Sequence, residues 1–150
     1  MRLHQLISYW QQVRADLLAT IDKFSDRELS YVPYDGAWSV GQIMRHIAHE
    51  EEIEIGYGLT RELLEFPAEH RVEDYPTVES IKALLAQVHH RTEAYLEGLD
   101  DADLDRDVEA AWGQTYRLGS MVWHVMEHEI HHRGKLSLLL GMLGHEGLDA

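Results

Sequence analysis

The 150-residue sequence predicts an all-α fold, a four-helix bundle that takes in residues 1–150 as one domain. Four segments repeat apolar residues at the 3.6-residue period of an amphipathic helix. No segment longer than a few residues alternates apolar and polar residues as a half-buried strand does. Four long helices within the length of one ordinary domain are typical of a bundle.

The first two helices have clear boundaries in the sequence. An apolar stripe predicts the first helix over residues 3–24. The stretch SDRELSYVPYDGAW then breaks the pattern with a proline and a turn-forming Asp-Gly pair. Ser39 and Gln42 form a capping box, which predicts that the second helix begins at about residue 40. We expect this helix to run to about Leu64, with two glycines weakening its last third.

The last two helices are predicted over residues 77–98 and 120–143, each with apolar residues on one side. Between them lie the acidic stretch DDADLDRD and the segment AAWGQTYRLGS, which predict a long connection.

Net charge, the length of apolar runs and cysteine content limit which partners and cell compartments we expect for this protein. The net charge is −14, and the 13 basic residues form no stripe, so we expect no nucleic-acid binding and no attraction to anionic membranes. The longest apolar run, LSLLLGMLG, is too short to span a bilayer, and the N-terminus lacks the apolar block of a signal peptide. With no cysteine there is no disulfide framework. We therefore expect a cytoplasmic protein.

The chain contains 11 histidines, and their positions give the main indication of function. In WHVMEHEIHHRGKLSLLL, His128 and His132 lie one helical turn apart on the apolar stripe. His46 and Glu50 share the inward face of the second helix. Buried imidazoles need partners, and three that converge can share a divalent cation while leaving coordination positions open. We therefore predict a metal site at His46, His128 and His132.

For the other polar residues near this stripe, the pattern leaves more than one role open. Glu50 could be a fourth ligand, could orient His46, or could act as a general base. His49, His124 and His131 flank the stripe, where we expect surface or hydrogen-bonding roles. The histidines without an evident partner are expected on solvated faces: His4, His70, His89, His90 and His145.

The pattern from His128 to His132 also matches H-E-x-x-H, the zinc-peptidase signature. The extended form of that motif needs glycine and histidine where the chain has Lys135 and Leu138. Glu129, the supposed base, is predicted to point away from the ligand face. A ferritin-like di-iron centre needs two Glu-x-x-His pairs, and only one is present. Both alternatives are disfavoured.

The segments WSVGQIMRHIAHEE, LDDADLDRDVEAAWG and HVMEHEIHHRGKL resemble the DinB/YfiT-like superfamily of metalloenzymes over nearly the whole chain. The resemblance implies an up-down-down-up bundle, nickel or zinc held by His46, His128 and His132, and a homodimer. The family name refers to DNA-damage inducibility, a stress response of some members, and implies no DNA binding. Several relatives are S-transferases or isomerases that use bacillithiol, mycothiol or glutathione.

The sequence departs from the common His-Arg-Gly-Gln of that family at Lys135, which follows His132, Arg133 and Gly134. A cation here could repel the metal or bind an anionic substrate or thiol. The predicted function is a metal-dependent transferase that activates a small thiol for attack on a small electrophile. Glu50 would assist proton transfer, and Lys135 or Arg133 would hold an anionic group. A hydrolase that uses metal-bound water and a non-catalytic metal-binding bundle are the alternatives.

Overall fold

Four long α-helices dominate the structure, a computed structural model that describes residues 2–146. They are α1 (Leu3–Ile21), α2 (Val40–Glu51), α3 (Val78–Glu97) and α4 (Leu118–Met142). The predicted all-α fold class is therefore confirmed, and the capping box of Ser39 and Gln42 opens α2 as expected. Among the described residues, no helix combines the length and the apolar character needed to cross a membrane.

The topology is up-down-down-up. α1 packs against α3 and α4, and α2 packs against the same two helices. Residues of α1 contact residues of α4 in the same sequence order, so these two helices are parallel. The contacts run in opposite order between α1 and α3 and between α2 and α4, so the helices of each of these pairs are antiparallel. The pairs that show this are Trp10–Glu129 and Asp16–Arg133, Arg14–Leu85 and Asp22–Lys82, and His46–His128 and Glu50–His124.

The second helix departs from the prediction in its last third. A π-helix over Glu52–Leu59 continues α2, and the helical segment ends there rather than at about Leu64. Gly58 lies in this π-helix, where a Cβ would come within 2.7 Å of the Trp112 ring. The widened helix thus coincides with the place where another segment packs closely against its backbone.

That segment is a β-hairpin that the sequence did not predict. Strands β1 (Asp107–Glu109) and β2 (Thr115–Arg117) pair antiparallel within the predicted long connection. The backbone N–H of Ala111, in the hairpin turn, donates to the carbonyl of Gly58. Strands of three residues are too short for an alternating pattern to show, which is why the hairpin was missed.

A layer of polar side chains crosses the middle of the bundle and separates two apolar clusters. Arg14 from α1 donates to Glu51 of α2 (2.7 Å) and to Glu129 of α4 (3.0 Å). His89 of α3 contacts the other oxygen of Glu51 at 2.8 Å, and the Trp10 indole donates to Glu129 at 2.9 Å. We call these five residues the polar layer. The expectation that His89 lies on a solvated face is wrong, since it is buried here.

Burial and charge compete within the polar layer. Burial lowers the pKa of Arg14, but the two carboxylates raise it by more, so the guanidinium stays charged. Burial raises the pKa of Glu51, yet Arg14 and His89 hold it below its usual value. At Glu129 burial prevails over Arg14, and the pKa is raised. The layer therefore depends on Arg14 as the cation that both buried carboxylates face.

Replacing Arg14 by methionine should cost roughly 3–5 kcal/mol of unfolding free energy, because two buried carboxylates lose their cation. Urea denaturation followed by circular dichroism would measure the loss. Arg133→Met is the matched control, since its ion pair with Asp16 is only partly buried (side chains 18% and 38% exposed). The control should lose about 0–1 kcal/mol. Equal losses in the two variants would contradict a special role for Arg14.

Candidate metal centre

Two antiparallel helices bring three histidines together at one side of the bundle. His46 lies in the second turn of α2, which the Ser39 cap fixes at its start. His128 and His132 lie one turn apart on α4, so their rings project from the same face. Because α2 and α4 pack against each other, His46 on α2 faces both His128 and His132 on α4.

The three rings form a compact triangle. Nε2 of His46 lies 3.0 Å from Nε2 of His128. Ring centroids are 4.9 Å apart for His46 with either partner and 4.3 Å apart for His128 with His132. One ring nitrogen from each histidine lies within 4.8 Å of the other two. Thus the three residues that sequence reasoning singled out as ligands do lie together.

The surroundings keep these imidazoles neutral. Burial, the largest cause, and the nearby His46 ring together lower the pKa of His128 to about 3. Burial likewise lowers the pKa of His132 to about 3, with His128 and Lys135 acting in the same direction. The pKa of His46 is also lowered, first by burial, although Glu50 opposes this. At neutral pH each ring therefore presents a nitrogen lone pair.

This donor set fits a divalent cation. Imidazole nitrogens bind zinc at about 2.0–2.1 Å, so two that share one tetrahedral ion lie roughly 3.3 Å apart, close to the 3.0 Å between His46 and His128. His132 is buried, and its Nδ1 has no hydrogen-bond partner among the described residues. An unsatisfied buried nitrogen is costly unless something else engages the ring. A bound ion would engage the ring through one of its two nitrogens.

The edge of the cluster is aromatic and partly open. Trp38 is 44% exposed, makes an edge contact with His46 and stacks parallel to His132. His49 is buried, and its Nε2 lies 3.0 Å from the carbonyl of Pro67, so this ring donates to the loop that follows the π-helix. His131 is exposed beside His132 and does not belong to the triangle. His49 thus takes the hydrogen-bonding role expected for it.

Glu50 lies one turn beyond His46 and belongs to a second group. Its carboxylate, that of Glu54 and a ring nitrogen of His124 lie within 4.8 Å of one another. Burial raises the pKa of Glu54, and the charge of Glu50 raises it further. The segment of α2 and its π-helical extension therefore faces α4 with two adjacent groups of ligand-type side chains, first the histidine triangle and then Glu50, Glu54 and His124. Glu50 lies between the triangle and Glu54, whose pKa is raised.

The two cations on α4 differ in their availability. Lys135 is exposed, and its positive charge lowers the pKa of all three histidines. Arg133 donates from Nη1 to Asp16 on α1 at 2.9 Å, so part of its guanidinium is already engaged, and its role in holding an anionic group stays a prediction. Glu129 belongs to the polar layer on the other side of the helix, in line with its predicted direction away from the ligands.

Several contacts of the site region were not foreseen. His70 lies 2.7 Å from Glu52, and His145 lies 2.6 Å from Glu28, so both have an acidic partner, although His145 is exposed as expected. The polar layer was also missed, although one signal was present. Arg14 falls on the predicted apolar stripe of α1, between Trp10 and Leu17, where a charged residue needs a buried partner.

An up-down-down-up bundle with three histidines converging from two antiparallel helices defines the class: a helical protein with a candidate metal centre. The chain belongs to the DinB family, whose model matches residues 1–149. The uncharacterised protein YjoA of Bacillus subtilis is 26% identical over 147 residues, covering 97% of this chain and 93% of YjoA. The resemblance inferred from the sequence motifs is thus confirmed.

Two solved structures share the fold. YfiT from Bacillus subtilis, a probable metal-dependent hydrolase with an unusual four-helix bundle topology, superposes with a TM-score of 0.61 and 27% identity. The match covers 93% of this chain and 87% of YfiT. The colibactin self-resistance protein ClbS, solved in complex with double-stranded DNA, gives a TM-score of 0.72. It is 15% identical over 93% of this chain and 96% of its own, a likeness that concerns the fold alone.

The low pKa values of His128 and His132 predict how the metal-free protein responds to acid. An unfolded histidine titrates near pH 6.5, so between pH 6.5 and about 3 the unfolded chain binds protons that the folded chain does not. The unfolding free energy should therefore fall as the pH drops through this window. Urea titrations from pH 7.5 to 4 would show a shallower slope for His128→Gln than for the wild type. An unchanged slope would contradict the burial of this imidazole.

Proposed function

We propose that this protein is a divalent-metal-dependent enzyme that acts on a small molecule at the open edge of the histidine cluster. The observation that carries this is the convergence of three neutral imidazoles from two helices, His46, His128 and His132. Three protein ligands leave coordination positions free for a reactant, as catalytic rather than structural sites do. YfiT, 27% identical and a probable metal-dependent hydrolase, supports the same class.

The reaction class best supported is hydrolysis. A divalent ion here would supply Lewis acidity, lowering the pKa of a water or thiol in the open position and polarising an electrophile. His46, His128 and His132 would hold the ion. Glu50, half-buried beside His46 and grouped with Glu54 and His124, would accept a proton and pass it toward solvent.

Binding of an anionic group falls to Lys135 rather than Arg133. Lys135 is exposed and acts electrostatically on all three imidazoles, whereas the guanidinium of Arg133 is engaged by Asp16. The position of Lys135, three residues after His132, lets it meet a negative charge on a reactant without being buried itself. We therefore assign Arg133 to the packing of α4 against α1.

A second candidate is transfer of a small thiol, of the bacillithiol, mycothiol or glutathione type, to a small electrophile. The exposed Lys135 beside the histidines favours a thiol of the bacillithiol or glutathione type, because both of these carry carboxylates. The protein has no cysteine, so the thiol would have to be a separate reactant. Nickel and zinc both suit a site built from imidazoles, and affinity alone does not select between them.

The expected partner is a small molecule. The charge of −14 opposes binding to a polyanion, and the absence of nucleic-acid binding and the homodimer stay predictions.

Elemental analysis of the untagged protein, reloaded with zinc or nickel, tests the metal centre directly. We expect near-stoichiometric metal in the wild type and its loss in His46→Ala, His128→Ala and His132→Ala, because each removes one of three donors. His131→Ala is the matched control, since this exposed histidine neighbours His132 outside the triangle. Metal retained in all three variants, or absent from the reloaded wild type, would refute the proposal.

Turnover then separates the reaction classes. Metal-loaded protein should hydrolyse small activated esters or amides without added thiol; turnover only in the presence of a thiol would favour transfer instead. Glu50→Gln should lower kcat by roughly 100-fold or more with metal content unchanged, because it loses the proton acceptor. Glu54→Gln, one turn farther from His46, should have a smaller effect. Full activity in Glu50→Gln would remove this residue from the mechanism.

A further inference from the structure

Arg45, the residue before His46, is a buried cation that forms no ion pair within the part of the chain that the structure describes. Its side chain is 6% exposed, and its only hydrogen bond within residues 2–146 is a long one, from Nη1 to the carbonyl of Tyr75 at 3.3 Å. The Nε nitrogen has no partner there. No carboxylate of the described residues forms an ion pair with this guanidinium.

The contrast with Arg14 shows what is missing. Arg14 has a similarly small exposed fraction, but it lies deeper in the bundle and faces two carboxylates, at 2.7 and 3.0 Å, whereas Arg45 lies at the border of a cavity. A buried charge is costly unless it is paired and hydrogen-bonded. At Arg45 burial lowers the pKa, and the charge of Glu73, which raises it, does not compensate. Within residues 2–146, Glu73 therefore offsets this positive charge only in part, and no carboxylate lies within ion-pair distance of it.

Arg45 borders a cavity that also reaches the histidine triangle. Its lining residues are Trp38, Gln42, Arg45, His46, His49, Glu69 and His70. The cavity measures about 50 Å³, and one water needs roughly 10–15 Å³, so there is room for a small group such as a carboxylate. A ligand anchored at Arg45 would therefore lie against His46 and the exposed ring of Trp38.

We infer that Arg45 is the anchor of a binding subsite for a carboxylate group, next to the histidine triangle. A guanidinium presents N–H donors in a planar fork that matches the two oxygens of a carboxylate. Acidic Glu69 at the exposed edge of the cavity, together with Glu73, favours a singly charged anion over a doubly charged phosphate. If the proposed function holds, on which this step rests, the carboxylate belongs to the reactant and directs its reactive part toward His46.

The Nε–H resonance of Arg45 in ¹⁵N NMR reports on this subsite at the atom concerned. We expect acetate, added to metal-free protein, to shift this resonance saturably, while acetamide, neutral and of the same shape, leaves it in place. The Nε–H of Arg14 is an internal control, because it is also buried and unpartnered but does not line the cavity. Absence of the resonance in Arg45→Lys assigns it. No saturable shift with acetate, an equal shift with acetamide, or saturation by phosphate alone would overturn the inference.

Calorimetric titration with acetate extends the test to affinity. Arg45→Gln should weaken binding by about tenfold or more, as expected for loss of a charge-assisted hydrogen bond. Arg71→Gln makes the same charge change at an exposed arginine that pairs with Asp74, and it should bind acetate as the wild type does. Glu69→Gln should bind more tightly, because a competing negative charge is removed. Equal weakening in Arg45→Gln and Arg71→Gln would mean that only net charge matters.

The metal-free protein and the His128→Ala variant separate this inference from the proposed function. Acetate binding at Arg45 does not require the ion, so it should persist in both. If acetate binds but no metal does, the anion subsite stands and the metal-dependent enzyme falls. If metal binds but acetate causes no shift at Arg45, the metal centre stands and the anion subsite is refuted.

Discussion

The contact between Arg14 and the two buried carboxylates of Glu51 and Glu129 is the constraint on which the rest of the structure depends. Two apolar clusters fill the ends of the bundle, and neither specifies how far one helix slides along another. The polar layer does, because a guanidinium must meet both carboxylates within hydrogen-bond distance. The polar layer therefore fixes the register of the helices as well as contributing to the free energy of unfolding.

The register set by the polar layer decides the geometry of the histidine triangle. Glu51 lies five residues after His46 on α2, and Glu129 directly follows His128 on α4. The carboxylates reach into the polar layer, while the three histidines meet between the same two helices at one side of the bundle. A shift of one helix against the other would separate His46 from His128 and break the layer at the same time. Folding and the site thus share one set of contacts.

The site is asymmetric in charge. Toward the core, Arg14 faces two carboxylates; toward the open side, Arg45 is buried with no ion-pair partner among residues 2–146, and Lys135 is exposed. The neutral imidazoles lie between these cations and the acidic pair of Glu50 and Glu54. An anionic reactant would meet cations on one side of the triangle and proton acceptors on the other. This arrangement suits a reaction in which a bound group both carries charge and loses a proton.

The sequence by itself determined the helices, the bundle and the three histidines, because helical periodicity places His46, His128 and His132 on inward faces whatever their neighbours are. Local chemistry also fixed the start of α2 through the cap of Ser39. Only the tertiary structure decided the partners that come from distant segments. Arg14 pairs with Glu51, His89 is buried against the same carboxylate, and Arg133 pairs with Asp16. Arg45 has no ion-pair partner among residues 2–146. Such contacts depend on helix order and register, which periodicity within one helix does not encode.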